Sequence, residues 1–383
     1  METLGWGGIF WGMAVRFVPV WIALALVFAV SIRWKRRLGL YGKLFDSPIG
    51  MVGFFIVAFW VFTAIFADLI ILQDPLAQVS GMRNALPGTP LPDGSGHYLL
   101  GGDHLARDVF SRMVMGARRV MAIAPAATAF AFMMGITLGL PAGFFGGRLD
   151  TVLSFLANLV LAFPVILLFY LLVTPEIRAT GIPSAMAAVL FLFPILFLSV
   201  LWNSRFFTDP TKRAIYIGIT VLIGGWAYSG LAFNRDPLGV WSMDPNLLNV
   251  FVSVVFVNAP TVFRIVRGIT MDLRARDYVA AAQTRGEGPW YIMLWEILPN
   301  ARGPLIVDFC LRIGYTTILL GTLGFFGLGV SPESPDWGST INEGRRLLSI
   351  FPHPAVVPAL ALMSLVLGLN LLADGLREES LRD

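Results

Sequence analysis

YVAAAQTRGEGPWYIMLWEILPN, residues 278–300, is the one sizeable stretch in the second half of the chain polar enough to leave a membrane yet patterned enough to form helix. Ala280, Ala281 and Ala282 are strong helix formers, Gly286 bends what they start, and Gly288-Pro289 punctuates the stretch again. From Trp290 to Leu298 the residues are apolar and aromatic around Glu296, and Pro299 suits the first turn of a following helix. The pattern predicts a helix, a glycine bend, a second short helix and a proline: a compact knuckle at a membrane face.

Around this stretch the chain is strongly apolar. Its 383 residues are 56% hydrophobic and 14% charged, against roughly 45–50% and ~25% in soluble domains. Mean hydropathy is +0.74. Nine runs approach the ~20 residues that cross a bilayer as helix: about 12–32, 48–72, 118–145, 150–173, 184–203, 214–233, 245–263, 303–330 and 355–373. Lipid offers backbone groups no partner, so an all-α integral membrane fold is expected. The opening run ends in Arg33, Lys35, Arg36 and Arg37 without a cleavage site, which reads as a retained anchor.

Nine spans put the termini on opposite sides, and arginine and lysine decide which. With the N-terminus outside, inner segments carry 17 basic residues and outer segments 7, four more (Arg16, Arg118, Arg119, Arg312) falling in spans. The chain therefore reads as N-out and C-in, with 278–300 cytoplasmic. A formal charge of +4 is no nucleic-acid signal here.

The outer segment from about 73 to 117 is the longest on its face and irregular over 86–96, where Gly, Pro and Asp crowd. It continues as LLGGDHLARDVFSRMVMGARRV, in which Asp103 is placed to cap a short helix through Arg107, Asp108 and Arg112. Gly135, Gly139 and Gly143, four apart, make a bare stripe for close helix approach. Pro125, Pro141, Pro164 and Pro194 lie in apolar runs and are positioned to bend them. Asp308 and Arg312 sit four apart inside the eighth run, either as a polar wall of a translocation path or as an internal ion pair.

Catalytic and metal signatures are missing. Cys310 is the single cysteine, and His97, His104 and His353 are scattered without metal-ligand spacing. No P-loop, G-x-S-x-G or H-E-x-x-H occurs. The chain reads as non-enzymatic, and if it drives transport the energy arrives from another polypeptide. A self-sufficient secondary transporter or channel is the alternative, with Asp308 and Arg312 as its only charged candidates.

Residues 278–300 resemble the EAA loop of ABC importer permeases, with Ala281, Ala282, Gly286, Leu298 and Pro299 in register and Ala280 where the family has glutamate. RIVRGITMDLRARDYV, residues 264–279, is similar to the approach to that loop in the dipeptide, oligopeptide and nickel permease branch. LGGDHLARDVFSR resembles the branch's LGTDxLGRDVxSR, retaining Asp103, Arg107, Asp108 and Arg112 and departing at Gly102 and Ala106. The stretches 324–348 and 370–383 are similar to the branch's segment after its fifth core span and to its C-terminal end.

The resemblance implies a type I ABC importer transmembrane domain and a C-type permease. Its organisation would be an N-terminal anchor extension (1–47), a first core span with its outer segment (48–117), and a transmembrane domain (118–375) with a two-span insertion at about 175–244, then a tail (376–383). It also implies a second homologous permease, two ABC ATPases that bind ATP and Mg, and an extracytoplasmic solute-binding protein. On that reading Ala280, Ala281, Ala282, Gly286, Leu298 and Pro299 form the ATPase-coupling loop of a permease in a bacterial cytoplasmic membrane. This chain itself would hold no cofactor or metal. The cargo would be a peptide or a related small solute.

Overall fold

A computed structural model describes residues 2–328 and 334–380. Residues 329–333, inside the stretch compared above as 324–348, and the tail residues 381–383, with Arg382, lie outside the described residues. Among those described, eight helical spans are long and apolar enough to cross a membrane, and a bent pair makes a ninth. The longer helices, in chain order, are α1 (Trp6–Arg16), α2 (Val18–Trp34), α3 (Pro48–Ile65), α4 (Val109–Phe145), α5 (Gly147–Leu161), α6 (Val165–Val173), α7 (Ile182–Leu190), α8 (Leu192–Arg205), α9 (Pro210–Phe233), α10 (Pro245–Leu273), α11 (Asp277–Thr284), α12 (Arg302–Phe325), α13 (Trp337–Gly344) and α14 (His353–Ser380).

The chain forms two compact units, one of residues 1–125 with 310–383 and one of residues 126–309. In the first, α3 packs along α14 with direct backbone contact at one end and side chains such as Trp60 and Ser364 between them at the other. A Cβ on Gly53 would strike the backbone of Leu372, and one on Gly375 would strike Gly50. The N-terminus reaches the segment before α4: Leu4 N donates to Gly88 O at 2.9 Å, and His97 Nε2 lies 3.2 Å from Glu2 O.

In the second unit the glycine stripe of α4 does what its spacing predicts. A Cβ on Gly135 would come 2.5 Å from Val262, one on Gly139 2.9 Å from Val266, and one on Gly143 2.7 Å from Thr270, all on α10. Such close approach replaces side-chain bulk with backbone contact. Phe132, Leu140, Val262, Val266 and the inner faces of residues 279–305 make the core of this unit.

Three expectations change. The apolar run from 150 to 173 is α5 and α6, bent by 80° at a break that contains Pro164; Pro125 and Pro141 instead lie within an unbroken α4. Helix α4 starts at Val109, far ahead of residue 118, because a polar cap rather than hydropathy fixes its head. The irregular outer stretch contains a two-residue hairpin, Thr89–Pro90 with His97–Tyr98, a small departure from an all-α fold.

Candidate functional site

The 278–300 stretch forms the expected knuckle. Helix α11 ends at Thr284 with Arg285 as its C-cap, and Gly286 takes a φ of +81°. Gly286 N donates to Gln283 O at 2.9 Å and Glu287 N to Ala282 O at 3.2 Å. These two bonds are a Schellman cap, which needs a left-handed residue at this position and so favours glycine. The returning helix runs Pro289–Tyr291, Ile292–Ile297 and Leu298–Asn300, with a π turn in the middle.

Pro299 supplies no N–H and would crowd the carbonyl four residues back in α geometry, which gives the wide turn before it a physical reason. Contrary to the sequence expectation, Pro299 does not open the long helix. It belongs to the last short turn, and α12 begins at Arg302.

The two arms are held by Val279 and Ala282 packed with Ile292, Met293 and Ile297. Arg285 pairs with Glu296 at 2.7 Å across the bend, but in this exposed position the pair is worth about 0–1 kcal/mol. Ala282 is fully buried, whereas Ala280 and Ala281 are exposed beside Thr284. The outward face of α11 therefore offers small side chains over a rigid backing. It lets another surface come close to the backbone.

The second unit also shows what flanks this knuckle. Trp295 Nε1 donates to Ser204 Oγ at 3.1 Å, and the Arg205 guanidinium lies 4.7 Å over the Trp295 ring. Arg274 Nη1 donates to Gly143 O and Phe144 O, each at 3.1 Å, and Arg267 pairs with Asp150. The segments near 143–150, 204–213 and 264–300 thus share one face. The bent α5–α6 pair must then count as a crossing, since 150 and 204 could not otherwise return to the same side.

In the first unit, residues 101–108 fold as a buried polar loop. Asp103 Oδ1 accepts from the N–H groups of Leu105 (2.8 Å) and Arg107 (2.9 Å), and Oδ2 accepts from Arg107 Nε (2.6 Å). Asp103 therefore shapes a loop and does not cap a helix. The cap is Asp108, which accepts from Ser111 N at 3.0 Å and from Phe110 N at 3.3 Å. It wins because α4 starts directly after it, while Ala106, at a φ of +64°, breaks any helix from 103. Burial pushes the Asp108 carboxyl up to about 6, against the hydrogen bonds from Ser111 and Phe110.

Arg107 and Arg112 both reach Glu343 on α13, Arg112 Nη2 at 3.2 Å, and Arg112 also donates to Thr340 Oγ1 at 3.1 Å. The Arg112 side chain is 0% exposed and also lies 3.8 Å from Asp103, so losing both carboxylates would strand a buried charge at a cost of about 3–5 kcal/mol. Trp337 fixes α13 in place: its Nε1 donates to Met113 O at 2.8 Å and its ring meets Trp60 at 5.1 Å. Asp336 caps α13 through Ser339 N at 2.9 Å, and burial raises its carboxyl above the usual range.

Glu343, Thr340 and Trp337 are partners that local motif reading missed. They lie in the compared stretch 324–348, but nothing in their spacing couples them to residues over 220 positions earlier. The same fold brings Asp103, His104 and Glu343 together, one ligand atom each within 4.8 Å, although the histidines look scattered in sequence. Both carboxylates of this trio already engage Arg107 and Arg112, and an added cation would face both guanidinium groups. The donor set fits an ion-pair network better than a resident metal.

Asp308 and Arg312 lie one turn apart on α12, Asp308 half-buried and Arg312 buried, each with interactions of its own.

These features define a multi-span helical permease with a rigid two-armed knuckle on one membrane face. The family model of the binding-protein-dependent transport system inner membrane component matches residues 135–378, and the chain belongs to that family. It is 31% identical to the glutathione transport system permease protein GsiD of Pectobacterium atrosepticum over 284 residues, 74% of this chain and 72% of the relative. It is 27% identical to the dipeptide transport system permease protein DppC of Alkalihalophilus pseudofirmus over 338 residues, covering 88% and 87%. It is 26% identical to the probable D,D-dipeptide transport system permease protein DdpC of Escherichia coli over 334 residues, 87% of each. The type I ABC importer fold and the likeness to the peptide permease branch are borne out.

Proposed function

We propose that this chain is the peptide-branch permease subunit of an ATP-driven importer, and that residues 278–300 couple it to separate ATPases. The observation that carries the reading is α11: a Schellman-capped helix with Ala280 and Ala281 outward, braced from behind by a buried second arm. Such a part transmits a push because it is stiff, and accepts a close partner because it is small. ATP and Mg belong to two ABC ATPase subunits, and the ligand arrives on an extracytoplasmic solute-binding protein. A second homologous permease completes the path.

The 17-to-7 distribution of basic residues supports a cytoplasmic knuckle, with the N-terminus and residues 81–108 outside. On that side the buried Asp103–Arg107–Glu343–Arg112 network would hold the docking or gating surface in shape. Closure of the ATPase pair would move the knuckle and rock the spans between inward- and outward-facing states, a rigid-body transition. A small peptide or related solute is the cargo, by analogy with the dipeptide and glutathione permeases. Asp308 and Arg312 are candidates for its path.

The test is Gly286→Asp in the complex assembled with its partner subunits. No atom lies within 4 Å of a Cβ built at Gly286, so the cost is backbone strain of roughly 1–2 kcal/mol and the complex assembles. Uptake is expected to fall at least tenfold while ATP hydrolysis continues. Wild-type uptake by an assembled variant would sink the coupling role, and ATP-independent uptake by the chain alone would favour a secondary transporter.

A further inference from the structure

The inserted helices α8 and α9 carry a feature that peptide transport does not call for. On their shared face they leave an open groove with a cavity of about 350 Å³, walled by Ile195, Leu198 and Trp202 on α8 and by Tyr216, Ile219 and Ile223 on α9. The size falls in the roughly 300–1,000 Å³ range of small-molecule sites. Of the two wall hydroxyls, that of Thr220 already donates to Tyr216 O at 2.9 Å, and the other is the phenol of Tyr216. Aliphatic side chains make up most of the remaining wall. At one end Gly224 lets the helices close, since a Cβ there would come 2.9 Å from Ile195.

The other end is different. The rings of Trp202 and Tyr216 meet at 5.0 Å, and Phe206 stacks on Tyr216 at 4.9 Å. Aromatic side chains of this kind favour the headgroup level of a bilayer. Each wall then ends in a cation: Arg205 lies three residues past Trp202 on α8, and Lys212 one turn before Tyr216 on α9, with Arg213 beside it. Asp209 pairs with Lys212 at 3.1 Å, so residues 204–213 hold three cations and one carboxylate. Apolar walls, an aromatic collar and a surplus of positive charge, in that order, match an acyl chain and an anionic head.

We propose that the α8–α9 groove is a binding site for an anionic phospholipid, its acyl chain between the helices and its phosphate at Arg205 and Lys212. Basic pockets between membrane helices hold lipid headgroups in this way. A helix from a second copy would cover the apolar walls but leave the cations without a counter-charge. Arg205 also lies over Trp295 of the knuckle, so the bound headgroup would stand one residue from the moving part. The binding claim rests on the inserted helices alone and not on the transport reading.

The test is native mass spectrometry on the full chain in mild detergent. It is titrated with phosphatidylglycerol, with phosphatidylcholine of the same acyl chains, and with glycerol phosphate. Phosphatidylglycerol is expected to bind tighter than phosphatidylcholine by about thirtyfold, the equivalent of roughly 1 kcal/mol for each of two basic residues. Glycerol phosphate is expected not to bind. The double variant Arg205→Gln with Lys212→Gln should lose the preference and keep weak binding of both lipids, and Thr220→Trp, which fills the groove, should lose both. Equal binding of the two lipids, or a preference that survives the double variant, overturns the site. So does a disulfide between copies through Ile219→Cys in a Cys310→Ala background, which would place a second copy in the groove.

Discussion

Ala106 holds a φ of +64° between two residues of a buried ion-pair network. An L-residue there strains its backbone, whereas glycine does not. The related permease motif has glycine at this position, and the structure keeps the glycine conformation without the glycine. Gly102, the other departure from that motif, has the opposite reason: a Cβ there would strike Met82 O. Ala106→Gly is therefore expected to stabilise the protein by about 1 kcal/mol, less the entropy glycine loses on folding. It should raise the melting temperature in detergent; an unchanged or lower one would show that the buried Ala106 methyl outweighs the strain. At this scale Gly286 was legible because a Schellman cap is written in a few consecutive residues. The cap of α4 was not. Asp103 and Asp108 are both good capping residues, and only the turn at Ala106 decides between them.

Among elements, the contacts that matter most are those in which side chains are missing. The α4 stripe was legible because glycines four apart stay on one helix face, and that periodicity needs no knowledge of the partner. What it could not supply was the partner, α10, or that Gly50 and Gly53 of α3 meet Gly375 and Leu372 of α14. The same limit hid α13 as the holder of Glu343, since a pairing across 236 residues has no local signature. The α4–α10 contact is directly testable. Gly139→Leu places a branched side chain where even a Cβ comes 2.9 Å from Val266 and 3.0 Å from Phe263 O. Backbone must move, and overpacking of this kind costs at least about 1–3 kcal/mol. The variant should melt earlier and show faster amide exchange in α10, while Gly218→Leu, with nothing within 4 Å of its Cβ, should match the parent.

For the whole molecule the question is which segments share a membrane face, and each unit answers separately. In one, the N-terminus touches residues 88 and 97. In the other, residues near 143–150, 204–213 and 264–300 touch one another. Hydropathy alone left room for doubt over the bent α5–α6 pair, because an 80° break suits a re-entrant loop as well as a span. The Arg274 bonds to Gly143 and Phe144 and the Arg267–Asp150 pair remove that freedom: a non-crossing pair would put 143–150 and 267–274 on opposite faces. The insertion can therefore add helices without inverting the knuckle, which an odd number of inserted spans would do. Single cysteines in a Cys310→Ala background test this with a membrane-impermeant maleimide. Ser95→Cys should label in intact cells, and Thr208→Cys and Gln283→Cys only after the membrane is opened. Labelling of both Thr208→Cys and Gln283→Cys together with Ser95→Cys would mean that α5–α6 does not cross. The inserted pair could then not present Arg205 to the inner leaflet.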